Sequence, residues 1–335
     1  MKLVTHEREG KEQLAILVND YLYNMNLLDN RFPDNMADFL KGGDELMKLA
    51  HSFNEKLAAG EFDRVAPKPL KNAKLCSPVP HPTSMRDAYA FRQHVATARR
   101  NRGVEMIPEF DQFPIFYFTN HNAVSGPGEI ECMPDHFEKL DFELEVAVVV
   151  GKKGINIKAA DADKYIAGFL IMNDMSARTL QMEEMKLNLG PAKGKDFSTA
   201  IGPWLVTPDE LEPYKTETKK GHVGNNYNLK MTCKVNDIQL SEGNMADMDW
   251  TFAEIIERCS YGTYIYPGDV IGSGTVGTGC LLELNGTKKL EDPSFEPVWI
   301  QDGDKIEMEI DGLGVLTNTI KSVKTDHSLL ALKKL

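Results

Sequence analysis

Four carboxylates in this chain stand where a carboxylate is expensive, and together they could hold one hard divalent cation. Glu143 and Glu145 open the run Asp141-Phe142-Glu143-Leu144-Glu145-Val146-Ala147-Val148-Val149-Val150-Gly151. Asp174 closes the apolar run Phe169-Leu170-Ile171-Met172-Asn173-Asp174, and Asp87 lies upstream in Arg86-Asp87-Ala88-Tyr89. Acids at the edges of apolar runs are costly to bury unless a cation neutralises them. Oxygen-only ligation selects Mg²⁺ or Ca²⁺, with Mn²⁺ also suited, over zinc. The chain reads as a metal-assisted enzyme.

Each group also has an ordinary alternative. Acids at i and i+2 share one face of a strand, and that face is commonly solvated. Against this, residues 146–150 are continuously apolar, as in a strand buried on both faces. Asp174 could instead cap a helix that begins after it. His94, in Arg92-Gln93-His94-Val95-Ala96-Thr97-Ala98-Arg99-Arg100, could be a surface residue of a basic helix. Arg99, Arg100 and Arg102 form either a solvated helix end or a clamp for a substrate carboxylate. Glu283, in Cys280-Leu281-Leu282-Glu283-Leu284, would alternate in a strand with Leu282 and Leu284 on the opposite face. A carboxylate so placed needs a specific partner.

The elements that must position these groups are mostly strands. Short apolar, β-branched runs at 143–151, 165–172, 204–207, 229–235, 270–274, 281–284 and 305–310 are bounded by Gly, Pro, Asn and Asp. Val235-Asn236-Asp237-Ile238 has the form of a tight hairpin. Helices are expected at about 84–102 and 248–259. Upstream, a strand at 14–18 precedes helical patterns at 34–40 and 44–59, with Gly60 placed to end the second. The segment Ala66-Pro67-Lys68-Pro69-Leu70 reads as a linker, and residues 75–80 as a short strand ending at proline. The pattern is not the βαβα alternation of a Rossmann fold or TIM barrel. It predicts an α+β, β-rich fold: a small N-terminal domain at 1–78 and a catalytic domain at 79–335 built as a mixed β-roll or sandwich. The glycine-rich stretch at 272–279 lacks the Lys-Ser/Thr ending of a phosphate loop.

The 335 residues are 42% hydrophobic and 26% charged, the profile of an ordinary globular chain. A net charge of −12 argues against a nucleic-acid partner. The polar first residues lack the apolar core of a signal peptide. No apolar stretch approaches the ~20 residues of a membrane span. Five widely spaced cysteines with no CxxC pair suggest reduced thiols and a cytoplasmic protein.

Taken together, these segments resemble the fumarylacetoacetate hydrolase family from about residue 78 to the C-terminus. The marks are Asp-Phe-Glu-Leu-Glu-Val-Ala at 141–147, Asn-Asp-Met-Ser-Ala-Arg at 173–178, Gly-Lys-Asp-Phe-Ser-Thr at 194–199, Gly-Pro-Trp at 202–204 and Gly-Ser-Gly-Thr at 272–275. Asp87-x-Tyr89-x-x-Arg92-Gln93-His94 matches the segment that carries a metal-binding aspartate and the catalytic histidine in fumarylacetoacetases. Glu283 matches the glutamate that orients that histidine.

The resemblance implies Asp87, Glu143, Glu145 and Asp174 as metal ligands, with Lys195 and Thr199 near the metal. It implies His94, Glu283 and Lys195 as catalytic groups, and Tyr89, Tyr117, Gln181, Thr275 and an arginine near Arg102 as substrate contacts. The implied reaction is hydrolysis of a carbon–carbon bond in a β-diketone dicarboxylate, with fumarylacetoacetate giving fumarate and acetoacetate, in a homodimer. Two positions depart from the pattern: Met185 replaces a substrate-contacting tyrosine, and Gly103 stands where the substrate-pairing arginine is expected. Acylpyruvate hydrolase, oxaloacetate decarboxylase and 2-keto acid hydratase or dehydratase activities are the alternatives.

Overall fold

The computed structural model describes residues 1–61 and 65–334. Its centre is the pair Leu144–Val150 and Ile166–Asp174, antiparallel and buried at every residue. A strand buried on both faces needs a layer on each side, and alternation assigns the residues to two cores. Val146, Val148 and Val150 pack with Phe169 and Ile171 into one. Ala147 and Val149 pack with Leu170 and Met172 into the other. Each fully buried branched aliphatic side chain contributes about 1.5–3 kcal/mol, so this pair anchors both layers.

The first core is closed by a five-stranded sheet, through Met231, Cys233, Met308, Ile310, Leu316 and Ile320, and by the helix Phe252–Ser260. The second is closed by the N-terminal helices Met36–Lys41 and Gly43–Ala58, through Phe39, Leu40, Phe53 and Leu57. Across the middle of the twelve-stranded sheet the order is Lys2–Arg8, Thr199–Val206, Ile166–Asp174, Leu144–Val150, Val270–Gly272, Met85–Ala88 and Phe116–Thr119. Among the described residues this is a mixed, strand-rich α/β fold with no closed barrel. Strands from both sides of residue 78 share the sheet, and the N-terminal core draws on both.

Several expected elements are found with shifted bounds. The strand at 14–18 spans Lys11–Val18, and the hairpin pairs Val235 with Ile238. Asn236 and Asp237 take the positive φ that this turn requires. Gly60, at φ 70°, follows the second N-terminal helix. Two expectations are corrected. The helix expected from 84 starts only at Arg92, because Met85–Ala88 is a strand held between Val270–Gly272 and Phe116–Thr119. The strand expected at 281–284 is the first turn of a helix, Leu281–Glu291.

Candidate active site and metal centre

Register brings the acids together. Across neighbouring strands Tyr117 pairs with Asp87, Asp87 with Gly272, Gly272 with Ala147, Glu145 with Met172, and Asp174 with Thr199. Register partners point to the same face, as do residues two apart. Tyr117, Asp87, Glu145, Asp174 and Thr199 therefore share the face whose other end buries the N-terminal helices. Carboxylate oxygens of Asp87, Glu145 and Asp174 lie within 4.8 Å of one another, and all three residues are buried.

Glycine makes the convergence possible. A Cβ on Gly272 would lie 2.5 Å from Asp87 Oδ1 and 2.9 Å from Glu145 Oε2. Gly274, at φ 80°, donates its N–H to both acids, at 3.0 and 3.1 Å. The Gly-Ser-Gly-Thr stretch thus serves carboxylates rather than phosphates.

The charges sort the acids into two groups. Burial, then the negative charge of Asp174, pushes the Asp87 carboxyl up to about 7. Burial and the adjacent Asp87 raise Glu145 well above the carboxylate range. Burial also raises Asp174, although Lys195 opposes it. Glu143 goes the other way: burial alone would raise it, but Lys195 and Arg178 outweigh that and hold it low. Arg178 Nη2 donates to Glu143 at 2.7 Å, and Lys195 Nζ donates to Glu143 and, at 2.7 Å, to Asp174 Oδ2. Tyr117 donates to the same Asp174 oxygen at 2.6 Å, whereas Asp174 Oδ1 is buried without a partner among the described residues.

Three raised, mutually repelling carboxylates with one orphaned oxygen fit a hard divalent cation. Asp87, Glu145 and Asp174 are the group that converges. Glu143, expected as a fourth ligand, has both oxygens engaged by cationic side chains at the edge of the cluster. Thr199 is buried beside Asp174 in register.

A pH dependence follows from the raised acids. Between about pH 4 and 7 the folded chain keeps a proton on Asp87 that the unfolded chain has released. Stability without metal therefore falls as pH rises through that window. A bound cation displaces the proton, so the Tm gain on adding Mn²⁺ is expected to grow from pH 5 to pH 8. Thermal melts in EDTA and in saturating Mn²⁺ measure it, and a gain that does not change with pH would refute the assignment.

The second constellation is His94 and Glu283. His94 lies on the buried side of the helix Arg92–Arg100, and its Nδ1 is 2.7 Å from Glu283 Oε2. The other Glu283 oxygen accepts the Thr278 N–H at 3.0 Å. A carboxylate only accepts, so Nδ1 carries the hydrogen, and in the neutral ring Nε2 then has the lone pair. No described protein group bonds Nε2. The helix bearing Glu283 begins at Cys280, whose side chain makes no capping bond. The cap comes from far away in sequence: Asp141 accepts the N–H groups of Leu281 and Leu282 at 2.7 and 2.9 Å.

Arg178 Nε also donates to Asp141, at 2.8 Å. Asp141 and Arg178 thus tie the helix of Glu283 to Glu143. Sequence reasoning gave neither a role. Asp141 was legible only as the i−2 member of the Glu143/Glu145 alternation, and Arg178 as a lone cation after a buried strand.

Asp141→Ala would leave Arg178 buried with one fewer counter-charge and the helix start uncapped. A loss of about 3–5 kcal/mol in urea unfolding is expected. A loss under ~1 kcal/mol would show that the link is not structural.

His94 shares with Asp87 and Glu143 a cavity of about 590 Å³. Asp87, Tyr89, His94, Arg102, Tyr117, Glu143, Arg178, Gln181, Lys195 and Thr275 line it. Every substrate contact expected from sequence is therefore on its wall. Tyr89 sits edge-on to His94, with ring centroids 6.1 Å apart, and Thr275 Oγ1 is 3.4 Å from Glu145. Gln181 accepts from Arg178 at 3.0 Å. Of the three clustered arginines only Arg102 lines the cavity. It is exposed, with Nε donating to the Ala98 carbonyl.

The family model described as fumarylacetoacetate (FAA) hydrolase C-terminal matches residues 83–321. The chain belongs to the fumarylacetoacetate hydrolase family. Within that family it is 29% identical to the human mitochondrial oxaloacetate tautomerase FAHD2A over 298 residues, covering 89% of this chain and 83% of that one. It is 35% identical to fumarylacetoacetase of Oryza sativa subsp. japonica over 199 residues, 50% of this chain and 46% of that one.

In fold it is similar to the maleylpyruvate hydrolase of Sphingobium sp. SYK-6 in complex with manganese(II) and pyruvate. The TM-score is 0.67 at 20% identity, over 97% of this chain and 100% of that one. A fumarylacetoacetate hydrolase of Exiguobacterium antarcticum gives 0.68 at 21% identity, over 96% and 100%. The two curated relatives are thus named for a tautomerase and a hydrolase activity. Among the described residues no helix is long and apolar enough to cross a membrane.

Proposed function

We propose that this chain is a divalent-cation-dependent hydrolase of a small β-diketo acid of the acylpyruvate class. The observation that carries the proposal is that His94, its Nδ1 bonded to the buried Glu283, lines one cavity with Asp87 of the acid cluster. A cation held by Asp87, Glu145 and Asp174, with Glu143 nearby, would supply Lewis-acid charge beside two ketonic oxygens. Mg²⁺ or Ca²⁺ are the proposed ions, with Mn²⁺ as a substitute.

Nε2 of His94 takes a proton from the attacking water, while Glu283 fixes the tautomer and balances the imidazolium. The water oxygen joins the acyl carbonyl, and the bond from that carbon to the methylene breaks. The methylene carbon then takes that proton back from the His94 imidazolium and becomes the methyl group of pyruvate. Lys195 and Arg178 place positive charge where negative charge develops. Tyr117 holds Asp174 in place.

Fumarylacetoacetate itself is less well supported. Met185 lines the cavity where a substrate tyrosine was expected, and Gly103 offers no side chain. The human relative that matches nearly the whole chain is named an oxaloacetate tautomerase. Enolisation of oxaloacetate is accordingly the second reading, since it needs the same base but no water.

A panel of acetylpyruvate, oxaloacetate and fumarylacetoacetate with Mg²⁺, Ca²⁺ or Mn²⁺ separates the readings. Stoichiometric pyruvate and acetate from acetylpyruvate, abolished by EDTA, are expected. Oxaloacetate enolisation with no carbon–carbon cleavage anywhere in the panel would replace the first reading by the second. A homodimer is proposed as well, to be checked by sedimentation. The cytoplasmic proposal rests on five free cysteines, which suit a reducing compartment, and the human relative's name places that protein in the mitochondrion.

A further inference from the structure

We infer that the outer half of the cavity is a subsite for an apolar acyl chain of about four to six carbons. This rests on the 2-oxo acid reading above and names the substituent that such a substrate carries. Two separate elements show the same change from polar to apolar as they leave the acid cluster.

On the helix Arg178–Met185, residues 178, 181, 182 and 185 share one face, and all four line the cavity. Arg178 and Gln181 are hydrogen-bonded to each other beside Glu143, whereas Met182 and Met185 follow with no polar group. Seven residues of helix carry that face roughly 10 Å away from Arg178. On the second element Tyr117 bonds Asp174, and the apolar Ile115 and Phe116 just before it line the same cavity. Leu282 and Trp299 add apolar surface to the lining of the same cavity.

These side chains are left open in a way that a ligand would correct. Ile115, Met182 and Met185 are 48%, 37% and 45% exposed. Methionine is unbranched and polarizable, and adapts its shape to an alkyl or aryl group. A cavity of about 590 Å³ is also in the range of sites for ligands much larger than a four-carbon acid. The competing occupant is a distal carboxylate held by Arg102 and Lys139, which line the same cavity but are exposed to water. Screening there leaves a carboxylate with little advantage over an alkyl end that buries apolar surface.

The test has two arms on the wild-type full chain with Mn²⁺. The first is kcat/KM for acetyl-, butanoyl-, hexanoyl- and succinylpyruvate. The second is the Kd, by calorimetry, of 2-oxoalkanoates from pyruvate to 2-oxooctanoate. About fourfold tighter binding and higher kcat/KM per added methylene are expected up to the length of the wall, with butanoyl- above succinylpyruvate. Met185→Gln and Met182→Gln should flatten the slope.

Turnover that ignores chain length, or favours the succinyl compound, overturns the subsite and leaves the hydrolase reading standing. Affinity that climbs with chain length while no acylpyruvate is cleaved overturns the hydrolase reading and leaves the subsite. Flat affinity in the binding arm overturns the subsite whatever the enzyme turns over.

Discussion

Replacing His94 by alanine is expected to lower kcat by about 10²–10⁴-fold while the protein stays folded and binds its cation. The size follows from what a positioned general base contributes when it takes a proton in the transition state. The specificity of the effect follows from the geometry. His94 touches no member of the acid triad by a hydrogen bond, and its one described side-chain bond is to Glu283.

KM should change little, because the lost interaction is made in the transition state rather than to the ground state. Glu283→Gln is the informative companion. An amide can donate to Nδ1 and so favour the opposite tautomer, which leaves no lone pair on Nε2. It should therefore lower kcat without removing any cavity-lining group. His94→Ala with near-native turnover on every accepted substrate would mean that water is activated elsewhere, and the proposed base would have to be abandoned.

Asp174→Ala is expected to remove cation binding and, with it, turnover. Asp174 is fully buried at the end of a strand whose every residue is buried, and one of its oxygens has no protein partner. Its other oxygen gathers Tyr117 and Lys195, so the variant also releases the two groups that fix that side of the cluster. A cation at 100 times its Kd stabilises the protein by about 2.7 kcal/mol, and the variant should lose that increment.

The metal-free variant need not be less stable by a comparable amount. It sheds one of the mutually repelling buried charges, and Lys195 keeps Glu143. Melting curves with and without Mn²⁺, beside direct titration of the ion, measure both effects. An unchanged Mn²⁺ affinity in Asp174→Ala would remove this residue from the site.

What the sequence could reveal divides by the range of the interactions involved. The buried central strands were legible because continuous apolar runs are local, and the acids because they stand at the ends of those runs. The assignment of 281–284 to a strand went wrong for a physical reason. Leu-Leu-Glu-Leu fits either period over so short a span, and the local helix-start signal is missing because Asp141 supplies the cap from 140 positions away.

The helix expected from 84 went wrong for a similar reason. Met85–Ala88 is a strand only because two other segments pair with it, one of them 185 residues downstream (Val270 against Met85). Arg178 was quoted within a motif, but nothing near it announces that its guanidinium spans Asp141 and Glu143. The separation of Glu143 from the other three acids likewise depends on two cations from a later segment.

The empty place above Gly272 has a geometrical consequence. The strands that carry Asp87 and Glu145 are neighbours of the glycine strand on either side, so they stand two ladder spacings apart, roughly 9.6 Å. Their carboxylates nevertheless approach within 4.8 Å, because both side chains lean inward over a residue that has none. The aperture of the site is therefore fixed by hydrogen-bonded backbone and by the lengths of one aspartate and one glutamate arm. A loop-built cage can breathe to suit its ion, but this one works as a gauge whose width the sheet has already set.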